Sequence, residues 1–130
     1  MGAAENKELI RKLGEAKSMD EMLGMIADDV RWTLTGKTRF SGTFNGKKEL
    51  LDQLIYPLFG LMESRGSSTI DNVVAEGDYV VVQSRAHGRK TKSGNDYNNT
   101  YCMVYRIANG KIAEVTEYCD TELVTAAFGK

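Results

Sequence analysis

The most constraining feature of the chain is a pair of strand-like segments between Tyr97 and Asp120, joined by Asn109-Gly110. An Asn-Gly pair favours a type I′ turn because both residues tolerate the positive φ that this turn requires. The first segment places Tyr97, Tyr101 and Tyr105 on one parity, and the second carries charged residues among apolar ones. The pattern predicts a long antiparallel hairpin, and such a hairpin needs other elements to cover one of its faces.

Length and charge limit the classes of protein that the chain can belong to. Its 130 residues predict a single domain over positions 1–130, and its 17 basic and 18 acidic residues nearly cancel. No basic run indicates nucleic acid as a partner, and no apolar stretch approaches the ~20 residues that span a membrane. The N-terminal residues lack the apolar core of a signal peptide, so we expect a cytoplasmic protein.

The sequence offers little support for a metal or a cofactor. It contains one histidine and two cysteines, Cys102 and Cys119, with no Cys-x-x-Cys or His-x-x-x-His spacing. Both cysteines fall in predicted strands and are interpreted as reduced, buried thiols. We therefore predict neither a metal site nor a cofactor.

The N-terminal half reads as helices around one strand. Helical spacing predicts a helix over Glu5 to Ala16, and Ser18 to Glu21 matches a capping box that opens a second helix ending before Asp28-Asp29. Alternation predicts a strand over Val30 to Thr35, followed by a loop. A third helix is predicted from Lys47 to about Ser64, capped by Asn45 and kinked at Pro57.

Strands dominate the second half. Thr69 to Ala75 and Tyr79 to His87 precede the hairpin, and Thr121 to Phe128 forms a closing helical turn or edge segment. Helices first and a meander last predict an α+β fold, with three N-terminal helices packed on a strongly curved, mainly antiparallel sheet. Curvature of this kind produces a cone-shaped barrel with a cavity between helices and sheet.

Three segments carry a family resemblance. These are Ala27-Asp28-Asp29-Val30-x-Trp32, Glu76-Gly77-Asp78-Tyr79 with three valines after it, and Asn109-Gly110-Lys111-Ile112 continuing to Asp120. The chain resembles the SnoaL-like and ketosteroid-isomerase-related families of the nuclear transport factor two-like superfamily, over about Lys7 to Phe128. The resemblance implies a cavity for a small, largely apolar molecule and a homodimer through the outer face of the sheet. It does not fix the chemistry, because this fold carries many activities.

The ketosteroid isomerase mechanism is disfavoured because its groups are missing. The position of the general-base Asp reads Leu34, the oxyanion donor falls at Met103 or Cys102, and the first helix has no Tyr. In limonene-epoxide-hydrolase-like members, the resemblance places Arg85-Ala86-His87 where Arg-x-Asp stands and Glu117 where a second Asp stands. The water-holding Tyr and Asn of those members read Trp32 and Leu34, so epoxide hydrolysis is also in doubt.

Arg85 and His87 share a strand face, because side chains two apart on a strand point the same way. If the family register holds, they meet Glu117 in the cavity. His87 is then the general acid/base, Glu117 orients its imidazole, and Arg85 holds an enolate or carboxylate. The predicted pocket residues are Trp32, Leu34, Leu54, Leu58, Asn99, Tyr101, Met103 and Cys119.

Two functions stay open at this point. The favoured one is an enzyme that performs cofactor-independent acid–base chemistry (isomerisation, cyclisation or hydration) on a small apolar carbonyl-like metabolite. The alternative is a non-catalytic ligand-binding or dimerisation module on the same fold. In that case Arg85 and Glu117 form a purely structural bridge that plugs the cone.

Overall fold

The predicted hairpin is present and lies inside the sheet. The computed structural model describes residues 2–130, so Met1 of the predicted domain lies outside it. Strand β7 (Thr100–Ala108) and strand β8 (Lys111–Cys119) pair antiparallel from Tyr101↔Cys119 to Ala108↔Lys111. Asn109 and Gly110 both have positive φ, at 53° and 73°, as a type I′ turn requires.

The hairpin belongs to a six-stranded sheet that contains one parallel pair. The remaining strands are β1 (Ile26–Leu34), β2 (Gly42–Asn45), β4 (Ser67–Glu76) and β5 (Tyr79–His87), in the order β2-β1-β8-β7-β5-β4. Strand β1 runs parallel to β8, and the other pairs are antiparallel. Register shifts in β1–β8, β4–β5 and β7–β8 mark irregularities of the kind that bend a sheet.

The first two helices start as the sequence predicts or close to it. Helix α1 is Ala3–Gly14, and helix α2 is Met19–Leu23. The Ser18 hydroxyl accepts a hydrogen bond from the Glu21 amide at 3.1 Å, which is the predicted cap. Helix α2 ends earlier than predicted because Ile26 is fully buried in β1 beside Ile112, and this burial outweighs its helical spacing.

The third helical segment carries an irregularity ahead of Pro57. It consists of α3 (Lys47–Leu50), a π-helical turn (Leu51–Ile55) and α4 (Tyr56–Gly60). Pro57 has no amide hydrogen to donate to the preceding turn, and the wider π turn is found there. The segment ends at Gly60 instead of Ser64, because strand β3 (Met62–Ser64) pairs with β6 (Lys90–Thr91). The N-cap is Gly46, and Asn45 lies in β2, a strand that the sequence pattern did not predict.

The core lies between the helices and the concave face of the sheet. Its fully buried members include Ile26, Val30, Leu50, Ile112 and Val115. Helix α5 (Thr121–Phe128) covers one end of the cone, with Asp120 as its N-cap and with Phe128 packed against Phe40 and Tyr97. The fold is therefore α+β with a curved, mostly antiparallel sheet. Within residues 2–130, no helix has the length and apolar character needed to cross a membrane.

Candidate active site

A cavity of about 300 Å³ lies between the helices and the concave face of the sheet. Its lining is mostly apolar and aromatic, which is typical of small-molecule sites, and its volume is at the lower end of their range. Seven of the predicted site residues line it: Trp32, Leu34, Leu54, Leu58, Tyr101, Met103 and Glu117. Residues from β1, β7, β8 and the third helical segment thus meet in the cavity, as predicted.

Glu117 contributes a carboxyl group to the cavity wall. Its strand neighbours are Leu34 on β1 and Met103 on β7, so apolar side chains flank it on both sides. The Trp32 indole Nε1–H donates a hydrogen bond to Glu117 Oε1 at 3.2 Å. Burial raises the pKa of Glu117 above its ordinary value of 4.5, and this effect exceeds the lowering by the Trp32 hydrogen bond and by the Arg89 charge. Such a carboxyl group is poised to exchange a proton nearer neutral pH.

Tyr101 and Arg89 form the second polar group of the cavity. Arg89 Nη1 donates a hydrogen bond to the Tyr101 hydroxyl at 3.2 Å, and its guanidinium lies 5.7 Å from the centre of the Tyr101 ring. Burial is the largest effect on the Tyr101 hydroxyl and raises its pKa, so the phenol stays protonated and able to donate a hydrogen bond. Tyr105 is buried in the same wall, and burial raises the pKa of its hydroxyl as well.

Arg85 and His87 do not enter the cavity, and the predicted convergence with Glu117 is wrong. They lie on one face of β5, as their spacing predicts, but Val80, Val82 and Ala86 occupy the buried face. Arg85 instead forms two hydrogen bonds of 2.8 Å with Asp71 on the outer face. The interior accepts the three small apolar side chains of β5 and leaves its charged ones in water.

The contacts of His87 are also on the outer side. Its Nε2 lies 2.8 Å from the Thr69 hydroxyl, across the β4–β5 pair. The Arg85–Glu117 bridge of the alternative reading is likewise contradicted, since the partner of Arg85 is Asp71 and the partner of Glu117 is Trp32. The space that this bridge was to plug is the open cavity.

Two further predicted pocket residues lie beside the cavity instead of in its wall. Asn99 is completely buried, and its side-chain amide binds Asp120 through both the backbone N–H and C=O groups, each at 3.0 Å. It also donates to the Tyr97 hydroxyl at 3.3 Å and so holds a residue that does line the cavity. Cys119 packs against the core next to Asn99, and burial raises the pKa of its thiol to about 11. The thiol is therefore protonated at neutral pH.

Several cavity residues were missed from the sequence. They are Met22, Phe40, Ile55, Phe59, Met62, Arg65, Ser68, Ser84, Arg89, Tyr97, Tyr105 and Val124. The positions of two of them could have been predicted from strand alternation: Tyr105 shares the parity of Tyr101 on β7, and Ser84 shares the parity of Val82 on β5. Arg65 and Arg89 lie in connections between strands, where no periodic pattern indicates which way a side chain points.

The outer face of the sheet has a different character. Arg85 and Asp71 border a shallow depression there, beside Cys102 and Tyr118. Val74, Tyr79 and Tyr118 are each about half exposed on this face. The homodimer expected through the outer face stays a prediction. Among residues 2–130, no three His, Cys, Asp or Glu side chains are placed together as ligands of a metal ion would be.

Comparison with known proteins gives the family and the fold. The model of the SnoaL-like domain family matches residues 8–115, and no curated protein matches the chain. An NTF2-like protein of unknown function from Burkholderia pseudomallei K96243 has a TM-score of 0.82 at 21% identity, covering 97% of this chain and 98% of that one. A provisionally assigned SnoaL-like polyketide cyclase from Jannaschia sp. CCS1 has a TM-score of 0.76 at 19% identity, covering 98% and 93%.

A third similar structure is TerC co-crystallised with polyporic acid. Its TM-score is 0.77 at 19% identity, and the similarity covers 97% of this chain and 99% of that one. At such identities the similarity establishes the fold, and it confirms the predicted α+β cone.

Proposed function

Since the chain belongs to the SnoaL-like domain family, we propose that it is a small-molecule enzyme in which Glu117 transfers protons next to a carbonyl group. The observation that carries the proposal is the carboxyl group of Glu117 in an apolar cavity, with raised pKa and an indole N–H as its partner. Glu117 takes the role of general acid/base that the sequence had suggested for His87. The substrate class is a small, largely apolar carbonyl compound.

The proposed reaction is a proton transfer between the substrate and Glu117 inside the cavity. The ionised Glu117 removes a proton from the carbon next to the carbonyl, and the electron pair moves to the carbonyl oxygen to give an enolate. The Tyr101 hydroxyl, already held by Arg89, donates a hydrogen bond to that oxygen. The protonated Glu117 then returns its proton to the same carbon or to another carbon of the enolate. Isomerisation and aldol-type cyclisation both begin with this proton removal.

The raised pKa of Glu117 suits this task. A carboxylate is a stronger base when its pKa is higher, and general acid–base catalysis is most efficient when the pKa lies near the working pH. The structural neighbours support a cavity that takes small molecules, since one of them was crystallised with polyporic acid and another is assigned as a polyketide cyclase.

Deuterium exchange tests the proposal without knowledge of the natural substrate. The wild-type protein is incubated in D₂O with cyclohexanone, acetophenone and β-tetralone, and loss of the α-proton signals is followed by NMR against buffer alone. We expect acceleration with at least one ketone, and a decrease of about 100-fold or more in the Glu117→Gln protein.

Glu114→Gln is the matched control. It removes a carboxylate from the same strand, where Glu114 lies on the outer face and pairs with Arg106 at 3.2 Å. Exchange by this variant should equal that of the wild type. If the wild type and Glu117→Gln exchange protons equally, the enzymatic proposal is wrong, and a ligand-binding module on the same fold is the better description.

A further inference from the structure

Arg65 and Arg89 both line the cavity, and the two connections that carry them lie against each other. Arg65 precedes Gly66 between β3 and β4, and Arg89 follows Gly88 after β5. Gly66 has a φ of +56°, and a Cβ at this position would lie 1.8 Å from the carbonyl oxygen of His87. Only glycine allows this approach of the two backbones. This approach is fixed by a hydrogen bond of 3.0 Å from Arg89 Nε to the carbonyl oxygen of Arg65.

In the part of the chain that the structure describes, neither arginine forms an ion pair. Arg89 donates from its side chain to two neutral oxygens, those of the Arg65 carbonyl and the Tyr101 hydroxyl. Arg65 lies with its guanidinium 4.3 Å from the centre of the Phe59 ring. A guanidinium has five N–H donors, so most of those on Arg89 have no acceptor among the described residues.

The placement of Arg89 is costly unless an anion balances it. The side chain is half-buried and lines the cavity, where water is partly excluded. Glu117 lines the same cavity, and the Arg89 charge lowers its pKa, but the hydrogen-bond partner of Glu117 is Trp32 and the described residues show no ion pair between Glu117 and Arg89. By contrast, Arg85 on the outer face is paired with Asp71 through two hydrogen bonds, although it is more exposed.

We propose that Arg89, with Arg65 beside it, binds the carboxylate of a ligand whose apolar body fills the cavity towards Trp32 and Leu34. The planar guanidinium fork matches a carboxylate in two parallel hydrogen bonds. Ser68 and Ser84 line the same cavity and add hydroxyl donors. The inference rests on the proposed function and narrows its substrate class to small apolar carbonyl compounds that also carry an acid group.

Calorimetric titration with a matched pair of probes tests this inference. β-Naphthoate and β-naphthamide have the same ring system, and they differ in carrying a carboxylate or a neutral amide. We expect the wild type to bind the acid about tenfold or more tightly than the amide, because a charge-assisted bidentate pair is stronger than a neutral hydrogen bond. Addition of salt should weaken binding of the acid more than binding of the amide.

Arg89→Met should abolish the preference for the acid and leave binding of the amide, whereas Arg85→Met should keep the preference. Arg65→Gln is a second variant that leaves the Arg89–Tyr101 contact in place, and it should reduce the preference by a smaller factor. The inference is overturned if the wild type binds the amide as tightly as the acid, if it binds neither probe, or if the preference survives in Arg89→Met.

The two proposals fail in different experiments. Glu117→Gln should retain the preference for β-naphthoate while it loses ketone exchange. If the acid is preferred but neither the three ketones nor 4-acetylbenzoate, a ketone that carries a carboxylate, exchanges its α-protons, the carboxylate site stands and the proposed reaction is wrong. If ketones exchange but the acid is not preferred, the reaction stands and the carboxylate site is wrong.

Discussion

Asp71 and Glu117 are carboxyl groups on opposite faces of one sheet, and their pKa values move in opposite directions. Asp71 lies on the outer face with two hydrogen bonds to Arg85, and these hydrogen bonds lower its pKa below the ordinary 3.8. Glu117 lies in the cavity, where burial raises its pKa above 4.5 despite the hydrogen bond from Trp32. The chemical group is the same, and the side of the sheet decides its state.

This difference in pKa shows which face of the sheet is suited to proton transfer. On the outer face, the hydrogen bonds between Arg85 and Asp71 lower the pKa of the carboxyl and raise the pKa of the guanidinium, so both groups stay charged at neutral pH and neither is tuned for proton transfer. Inside, the indole N–H, the carboxyl and the Arg89–Tyr101 pair lie around a largely apolar space, where each interaction is stronger. The candidate site therefore lies on the concave face, although the outer face carries the more conspicuous charges.

The largest expected contrast between the two faces is structural and concerns two asparagines. Asn99→Ala removes a buried amide that bonds to Asp120, Thr100 and Tyr97, so we expect a loss of about 3 kcal/mol in the free energy of unfolding. Asn72→Ala on the outer face removes one hydrogen bond of 3.3 Å to Gln83 and should cost about 0.5 kcal/mol or less. Urea denaturation followed by fluorescence measures both. Equal losses would contradict the contrast.

The fold was predictable because its strongest signals are local. The Asn109-Gly110 turn and the Ser18 cap depend on neighbouring residues, and both are found where the pattern placed them. Strand β2 and the parallel pairing of β1 with β8 depend on residues far apart in sequence. Phe44 is buried in β2 beside Trp32, and no local pattern distinguishes such a strand from a loop with two aromatic anchors.

The candidate site was predictable where a strand has one apolar parity. Val115 marks the inward parity of β8, so Glu117 was placed correctly. Strand β5 is ambiguous because valines occur on both of its parities, and the family pattern favoured the parity of Arg85 and His87. The uncharged series Val80, Val82 and Ala86 was the opposing signal.

Arg89 shows the limit of reasoning by periodicity. In sequence it belongs to a short basic run in a loop, which usually indicates a solvated turn. Its inward placement depends on Gly66, whose missing Cβ lets the β3–β4 connection cross the end of β5. That contact joins segments more than twenty residues apart, and the residues around either segment do not reveal it.

The opposite pKa shifts of Asp71 and Glu117 predict that the two groups change the stability of the protein in opposite ways as pH rises. The lowered pKa of Asp71 means that the unfolded chain binds more protons below pH 3.8, so Asp71 stabilises the protein above that pH and loses the effect in acid. The raised pKa of Glu117 means that, above pH 4.5, the native protein binds more protons than the unfolded chain. The stability of the wild type therefore falls as pH rises from 4.5 through the pKa of Glu117 in the native protein.

Asp71→Asn should therefore be less stable than the wild type at neutral pH, and Glu117→Gln should be more stable. Both differences should shrink in acid, that of Glu117→Gln as pH falls toward 4.5 and that of Asp71→Asn only below 3.8. Urea midpoints measured from about pH 3 to about pH 8 test the signs. If both variants are less stable than the wild type at neutral pH, or both are more stable, the two carboxyl groups experience the same environment.

The smallest expected effect belongs to His87, and it separates the two faces most directly. His87→Ala removes one hydrogen bond to Thr69 at the outer surface, so the free energy of unfolding should change by about 0.5 kcal/mol or less and ketone exchange should be unchanged. Trp32→Phe is the matched change inside, because it removes one hydrogen bond to Glu117, and it should alter the exchange rate and its pH profile. If His87→Ala loses ketone exchange and Trp32→Phe exchanges at the wild-type rate, the proton transfer takes place on the outer face. The imidazole contacts Thr69 on that face, outside the cavity.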